Sequence, residues 1–315
     1  MTATLALGCA SLGNLYHAIS DERAAATVDA AWDCGVRYFD TAPHYGLGLS
    51  ERRLGDALRG RPRASYTVST KVGRLLVPAS GDGFDDGGFA VPATHRRVWD
   101  FSRDGVLRSL DESLARLGLD RVDLVLLHDP EDHADQAIAE GFPALAALRD
   151  EGVVGAIGTG SKDAAFLARF AAECAPDVVL IAGRYTLLEQ PALDAVLPAC
   201  ASAGATVLNA GVFNSGLLAV DRPHEGLPYE YGRVPAAVLD RARAIADLCA
   251  THDTTLPAAA LAFAAAHPLV TSVIVGADSP DQVRRNAALF AAPPPAALWP
   301  ALVAAGLLDP RAVTA

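Results

Sequence analysis

Lysine is nearly absent. Of 26 basic side chains in the 315-residue chain, two are lysines, Lys71 and Lys162, and arginine supplies the rest. Arginine holds its proton under all ordinary conditions, whereas lysine is a compact point charge whose pKa answers to its surroundings. A lysine kept on this background is a candidate for chemistry, with chance as the plain alternative. Cysteine is sparse too. Its five copies are odd in number and show no Cys-x-x-Cys spacing. They read as reduced, mostly buried thiols of a cytoplasmic protein. Basic charge is in deficit at a net −11. That argues against a nucleic-acid binder, which needs a basic face, and against a polybasic membrane anchor. No run of 18 or more apolar residues goes uninterrupted, so no segment is expected to span a membrane. The apolar start, "MTATLALGCASLG", lacks the basic flank and the length of a signal peptide. Also missing is a strand–GxGxxG–helix unit. "GLGLS" (46–50) has two glycines and follows no suitable strand, which counts against a doubly wound dinucleotide fold.

What is present is periodic. The chain is 51% hydrophobic, enough for a large core. Strands are read at 5–11, 37–41, 66–72, 122–128, 154–159, 178–183, 206–211 and 272–276, each followed by a helical pattern. The run 21–35 sets Ala, Val and Trp on one face and closes on Gly35. The run 102–118 places Val106, Leu107, Leu110, Leu114 and Leu117 at helical spacing, between a cap at Ser102 or Asp104 and Gly118. Residues 279–292 open on Ser-Pro-Asp, a cap with proline at the first helical position. Eight such repeats predict an α/β fold, a (β/α)8 TIM barrel forming one domain over 1–315. Two stretches break the rhythm. Residues 73–101, with "PASGDGFDDGGF", follow the third strand, and residues 212–234 follow the seventh. Long loops in a compact domain tend to be functional, and in a barrel both would stand over the C-terminal mouth. The tail 293–308 is expected to pack near the same rim.

Four residues fall at the C-terminal ends of adjacent strands or just beyond them. Asp40 ends the second strand and Tyr45 follows it in "FDTAPHYG". Lys71 ends the third and His128 the fourth. Each alone has a bland reading as turn former, rim aromatic, surface cation or strand-end histidine. Together they converge at one side of one mouth. A phenol with a pKa near ~10 is a poor base at neutral pH. A neighbouring ammonium stabilises its anion, a carboxylate orients the ammonium, and a histidine positions the reacting oxygen. Such a site moves a proton on a carbonyl/alcohol pair, and the accompanying hydride needs a nicotinamide cofactor. "HDPEDHAD" (128–135) invites a metal reading, but a histidine spacing of five suits no shared face. It is read as a solvated acidic loop, with no metal.

"FDTAPHYG", "STKVG" and "LLHDP" resemble the Asp, Tyr, Lys and His motifs of the aldo-keto reductases. The likeness runs over about residues 5–308. It is strongest to the sugar-oxidising subgroup that includes L-fucose dehydrogenase, D-threo-aldose 1-dehydrogenase and pyridoxal 4-dehydrogenase. The resemblance implies Tyr45 as general acid/base, Lys71 and Asp40 as its tuning pair, and His128 as the substrate-orienting group. It implies that Val212, Phe213, Asn214, Ser215, Gly216 and Leu218 follow the cofactor pyrophosphate. Gly276, Asp278, Gln282 and Asn286 would hold the adenosine end. The chain departs from the family where an Asn, a Gln and an aromatic usually hold the nicotinamide. Ser161, Lys162 and Asn209 are unranked substitutes. For the substrate, the candidates are His44 beside Tyr45, Trp99 in the third loop, and Arg184 with Tyr185 at the end of the sixth strand. A purely structural role for that last pair is an equal alternative. Gly276 and Gln282 stand where cations would meet a 2′-phosphate, and Asp278 adds a negative charge, so NAD is favoured over NADP. The expected activity is oxidation of the anomeric hydroxyl of an L-fucose, D-arabinose or L-galactose type of sugar to a lactone. Pyridoxal oxidation, general aldehyde reduction and a non-enzymatic regulatory role are the alternatives.

Overall fold

The computed structural model describes residues 3–79, 83–85, 87–230 and 232–312. Part of the glycine- and aspartate-rich stretch after the third strand, at 80–82 and 86, lies outside them. Twelve strands occur in the described chain: β1 Thr4–Gly8, β2 Tyr38–Asp40, β3 Thr67–Val72, β4 Arg74–Pro78, β5 His95–Trp99, β6 Leu124–His128, β7 Ala156–Ser161, β8 Val178–Ala182, β9 Thr206–Ala210, β10 Pro228–Tyr229, β11 Gly232–Arg233 and β12 Val270–Gly276. Eight of them close a parallel barrel in the order β1-β12-β9-β8-β7-β6-β3-β2. The fold is thus the (β/α)8 barrel that the repeats predict, with helices around it: α1 Asp21–Asp33, α2 Leu49–Leu58, α3 Arg103–Leu117, α4 Ala134–Gln136, α5 Phe142–Asp150, α6 Ala164–Cys174, α7 Val196–Ala203, α8 Ala236–Thr251, α9 Leu256–Ala266, α10 Pro280–Ala291 and α11 Leu298–Ala304.

Strand parity sorts the side chains. Successive residues of a strand point to opposite faces. Leu124, Leu126, Val178, Leu180, Leu208 and Ile274 fill the barrel interior. Their neighbours Val125, Leu127, Val179, Ile181, Val207 and Val273 belong to the larger core between strands and helices. The same alternation turns Asp40, Lys71 and His128 toward the axis, because each lies an even number of residues from an inward neighbour: Tyr38, Ser69 and Leu126. The first strand ends at Gly8, short of the expected 11, because Cys9–Gly13 winds into a 3-10 turn.

The two long loops carry structure of their own. The first contains an antiparallel hairpin, β4 against β5, with Arg74 opposite Trp99. The second contains the short β10–β11 pair.

Candidate active site

Asp40, Lys71 and Tyr45 form one hydrogen-bonded unit. Lys71 Nζ donates to Asp40 Oδ2 at 2.7 Å, to the Thr41 carbonyl at 3.0 Å and to Tyr45 Oη at 3.1 Å. All three ammonium donors are therefore engaged. Asp40 takes a further bond on Oδ1 from Ser69 Oγ at 2.7 Å, and Ser69 accepts in turn from Tyr38 Oη at 3.1 Å. Lys71 and Asp40 are 2% and 3% exposed, so this pair sits out of water. Burial by itself would lower the lysine, but Asp40 and Tyr45 outweigh it and push the ammonium above its ordinary value. The lysine stays charged.

Tyr45 reaches the pair from a loop held by close backbone contact. Gly46 has φ +63, and a Cβ there would lie 2.2 Å from the Gly13 carbonyl oxygen. Only glycines let the turn after Cys9 and the Tyr45 loop touch in this way. Burial raises the phenol above its ordinary pKa, with Lys71 pulling the other way. The sequence-based expectation was a net lowering. Desolvation of the phenolate decides the opposite, and the resting residue is the neutral acid.

His128 completes the corner. Its ring lies 5.8 Å from that of Tyr45 and 5.5 Å from that of His44, centre to centre. Burial first, then the Arg74 and Lys71 cations, hold His128 well below its usual pKa, so the imidazole is neutral. Nδ1 of both histidines is buried without a hydrogen-bond partner among the described residues. His44 is pushed down to about 2, mainly by burial. Phe89 closes the wall against His44 and Tyr45, at ring separations of 5.2 and 6.0 Å.

The remaining candidates separate into two groups. Trp99 reaches the mouth on β5, with the Arg74 guanidinium 4.2 Å from its ring centre. Arg184, just past β8, donates to the Lys162 carbonyl and to Glu230 Oε1 at 2.9 and 3.1 Å. Tyr185 and Asn209 lie elsewhere. Tyr185 is fully buried and stacks on Phe263 of α9 at 4.8 Å. Asn209 has the parity of Val207, faces the helices, and donates to the Tyr185 and Ala264 carbonyls. Neither side chain faces the barrel axis, which corrects their assignment to substrate and nicotinamide. The Ser161 hydroxyl is buried, donates to Glu131 and accepts from the Asp163 amide.

The segment after β9 turns through a run of left-handed backbone: Asn214 at φ +47, Ser215 at +60 and Gly216 at +103. Val212 and Leu218 bury their side chains in the core, and Phe213 packs against it. What they offer a ligand is backbone. Asn214 Nδ2 donates to Glu189, while its Oδ1 is buried without a partner among the described residues. Across from this turn, α10 begins at Ser279–Pro280 with no side-chain cap on its amides. Such a helix start and such a turn suit a pyrophosphate. Gly276 is exposed at the end of β12, Asn286 is half-buried on α10, and Gln282 Oε1 accepts from the Asp278 amide. Asp278 itself is held by Arg23 at 2.8 Å and His17 at 3.1 Å.

Sequence reasoning missed Tyr38, Ser69, Arg74 and Asp129. For Tyr38 and Ser69 the signal was present. They sit two residues before Asp40 and Lys71, and thus on the same inward face. A cavity of about 800 Å³ opens at the opposite, N-terminal end of the barrel, lined by Thr4, Tyr38, Thr67 and Ser272 among others. Of the residues just described it touches only Tyr38.

Comparison with known proteins agrees with this geometry. Residues 4–304 match the aldo/keto reductase family. The chain is 51% identical over 309 residues to a D-threo-aldose 1-dehydrogenase from Pseudomonas sp, covering 96% of this chain and 94% of that one. It is 38% identical to a pyridoxal 4-dehydrogenase from Microbacterium luteolum, at 97% and 94% coverage. Among solved structures, an aldo-keto reductase from Bacillus halodurans in its holo form superposes with a TM-score of 0.78. The two are 27% identical, with 98% of this chain and 93% of that one covered. The chain therefore belongs to the aldo/keto reductase family and is an NAD(P)-dependent oxidoreductase.

Proposed function

We propose that the enzyme oxidises the anomeric hydroxyl of a cyclic aldose to a lactone. The observation that carries the chemistry is the buried lysine bridging Asp40 and Tyr45. It fixes one phenol at the mouth, next to one charge that stabilises its anion. The 51% identity to an aldose 1-dehydrogenase supports the choice of substrate class.

In this reading Tyr45 must first be ionised, with Lys71 at 3.1 Å stabilising the phenolate. The phenolate then takes the hydroxyl proton as the carbonyl forms and returns to the neutral phenol. Asp40 and Ser69 hold the ammonium in place. Neutral His128 offers an N–H to the same oxygen and orients it. Bound nicotinamide supplies the other half of the chemistry, acceptance of the hydride from C1. The residues that would hold that cofactor are the backbone of Val212, Phe213, Asn214, Ser215, Gly216 and Leu218, the start of α10, and Gly276, Asp278, Gln282 and Asn286. The partnerless Asn214 Oδ1 and the uncapped α10 amides fit a polar ligand there. The same groups run in reverse as an aldehyde reductase, with the neutral phenol as acid. His44, Trp99 and Arg184 line the substrate side.

The test is an absorbance assay at the reduced-nicotinamide band, with L-fucose, D-arabinose, L-galactose and pyridoxal against NAD+ and NADP+. Turnover of at least one sugar with lactone as product is expected. Turnover of pyridoxal alone would move the substrate to that hemiacetal. Silence throughout would sink the reading.

A further inference from the structure

Arg74 and Asp129 stand beside the proton-transfer unit, and the chemistry above does not use them. Arg74 lies three residues beyond Lys71 at the start of β4. Between them Gly73 has φ +99, and a Cβ there would fall 2.0 Å from the Phe101 ring. That turn is open to glycine alone, and it brings the guanidinium against Trp99, with Nη2 donating to Asp129 Oδ2. Arg74 is 9% exposed, and its Nε is buried with no hydrogen-bond partner among the described residues. Asp129 adopts φ +43, a left-handed backbone that costs a non-glycine residue energy. Its amide donates to the Gly160 carbonyl at 2.8 Å, and its carboxylate lies 3.5 Å from His128 Nε2.

As a device for stability this arrangement is poor. A largely buried pair loses much of its attraction to desolvation, and a buried unsatisfied N–H adds a further cost. Strained backbone at Asp129 deepens the deficit. Such features persist where a ligand completes them. The ligand that fits is one offering both an acceptor and a donor close together, because guanidinium only donates and carboxylate only accepts. A vicinal diol has that pattern.

We infer that Arg74 and Asp129 form a donor–acceptor edge that reads the ring hydroxyls of the sugar beside its anomeric carbon, and that Arg74 is a specificity-determining residue. The inference rests on the aldose reading above. Trp99 holds the flat of the guanidinium, and Gly73 and Phe101 fix where it starts. A buried site built to bond a hydroxyl rejects the analogue that lacks it far better than an apolar pocket rejects an added one.

The experiment is a cycle that crosses enzyme variants with substrate deletions. kcat/KM is measured for wild type, Arg74→Met and Arg74→Lys. The substrates are the best aldose of the panel and its 2-deoxy and 3-deoxy analogues. Wild type is expected to prefer the full sugar by at least about tenfold over one analogue. Arg74→Met should lose that preference, acting on the full sugar and that analogue at nearly equal rates. Arg74→Lys keeps the cation without the fork and is expected to lose most of it as well. It carries the test should the Met variant fail to fold by thermal unfolding. Equal proportional losses on full and deoxy sugars would overturn the inference and leave the aldose reading standing. A wild type that oxidises no aldose would overturn both.

Discussion

Tyr45 carries the sharpest expectation at the scale of single residues. Tyr45→Phe removes one hydroxyl from a half-buried ring and leaves its contacts with His44 and Phe89 in place. Fold and cofactor affinity should survive, while kcat falls by at least about 10²-fold, the usual scale for one proton-transfer group. Near-wild-type turnover would remove Tyr45 from the reaction. Asp278 carries a second. Arg23 is tied to it twice, Nε to the Asp278 carbonyl at 2.7 Å and Nη2 to the carboxylate at 2.8 Å. A carboxylate can accept a ribose hydroxyl but repels a phosphate, and here it also restrains a cation that a phosphate would need. NAD+ should therefore serve at least as well as NADP+. Asp278→Asn removes the negative charge and the ion pair, leaves Arg23 only its neutral hydrogen bonds, and should shift the kcat/KM ratio toward NADP+ by about tenfold, or 1.4 kcal/mol. A wild-type preference of that size for NADP+ would contradict this. The legible residues were those with unusual chemistry at strand ends: Asp40, Tyr45, Lys71 and His128. Ser69 was legible only through its parity with Lys71, because a serine in a strand is otherwise unremarkable. Asn209 misled for the same reason. Leu208 and Ala210 beside it point inward, so Asn209 points out.

At the scale of elements, strands and helices could be read because burial writes a period of two or 3.6 into the chain. The loops could not. The β4–β5 hairpin is encoded by contacts distant in sequence. Arg97 clasps Asp85 at 2.6 and 2.8 Å and donates to the His44 carbonyl at 3.0 Å, which pins the hairpin to the Tyr45 loop. No local pattern announces such a clasp. The loop after β9 is fastened likewise. Glu230 bonds Lys162 at 2.5 Å and Arg184 at 3.1 Å, while Arg285 of α10 reaches the Ala219 carbonyl and Asp221. The two cations keep the Glu230 carboxyl below its ordinary range against the pull of burial. Lys162, singled out by its rarity, is thus seen holding a loop. Since that loop carries the turn at Asn214–Gly216, loosening it should weaken cofactor retention before it touches chemistry. Glu230→Gln is expected to raise the cofactor Kd several-fold, with a smaller change in single-turnover hydride transfer. Stopped-flow measurement that found the whole loss in the hydride step would place Glu230 on the substrate instead.

Across the whole molecule, the barrel gathers charges that must be reconciled with stability. Two neutral histidines are built into its mouth, both held below their ordinary pKa chiefly by burial, with the Arg74 cation next in each case. In the unfolded chain a histidine takes up a proton near pH ~6.5. In the folded state these two do not, so below that pH the unfolded form binds more protons. Stability is then full above about pH 6.5 and declines as the pH falls, by up to about 1.4 kcal/mol per pH unit for each histidine. Asp129 works in the other direction, since burial raises it and the folded state holds its proton more readily. A comparison of slopes isolates the histidine. Urea unfolding of wild type and His128→Gln between pH 5 and 7 should give a shallower pH dependence for the variant, whatever its stability at pH 7, because one differential proton has been removed. Parallel slopes would mean that His128 takes up its proton without unfolding. The mouth would then admit a charged imidazole beside Arg74 and Lys71, and the neutral His128 donor assumed in the proposed reaction would have to be given up.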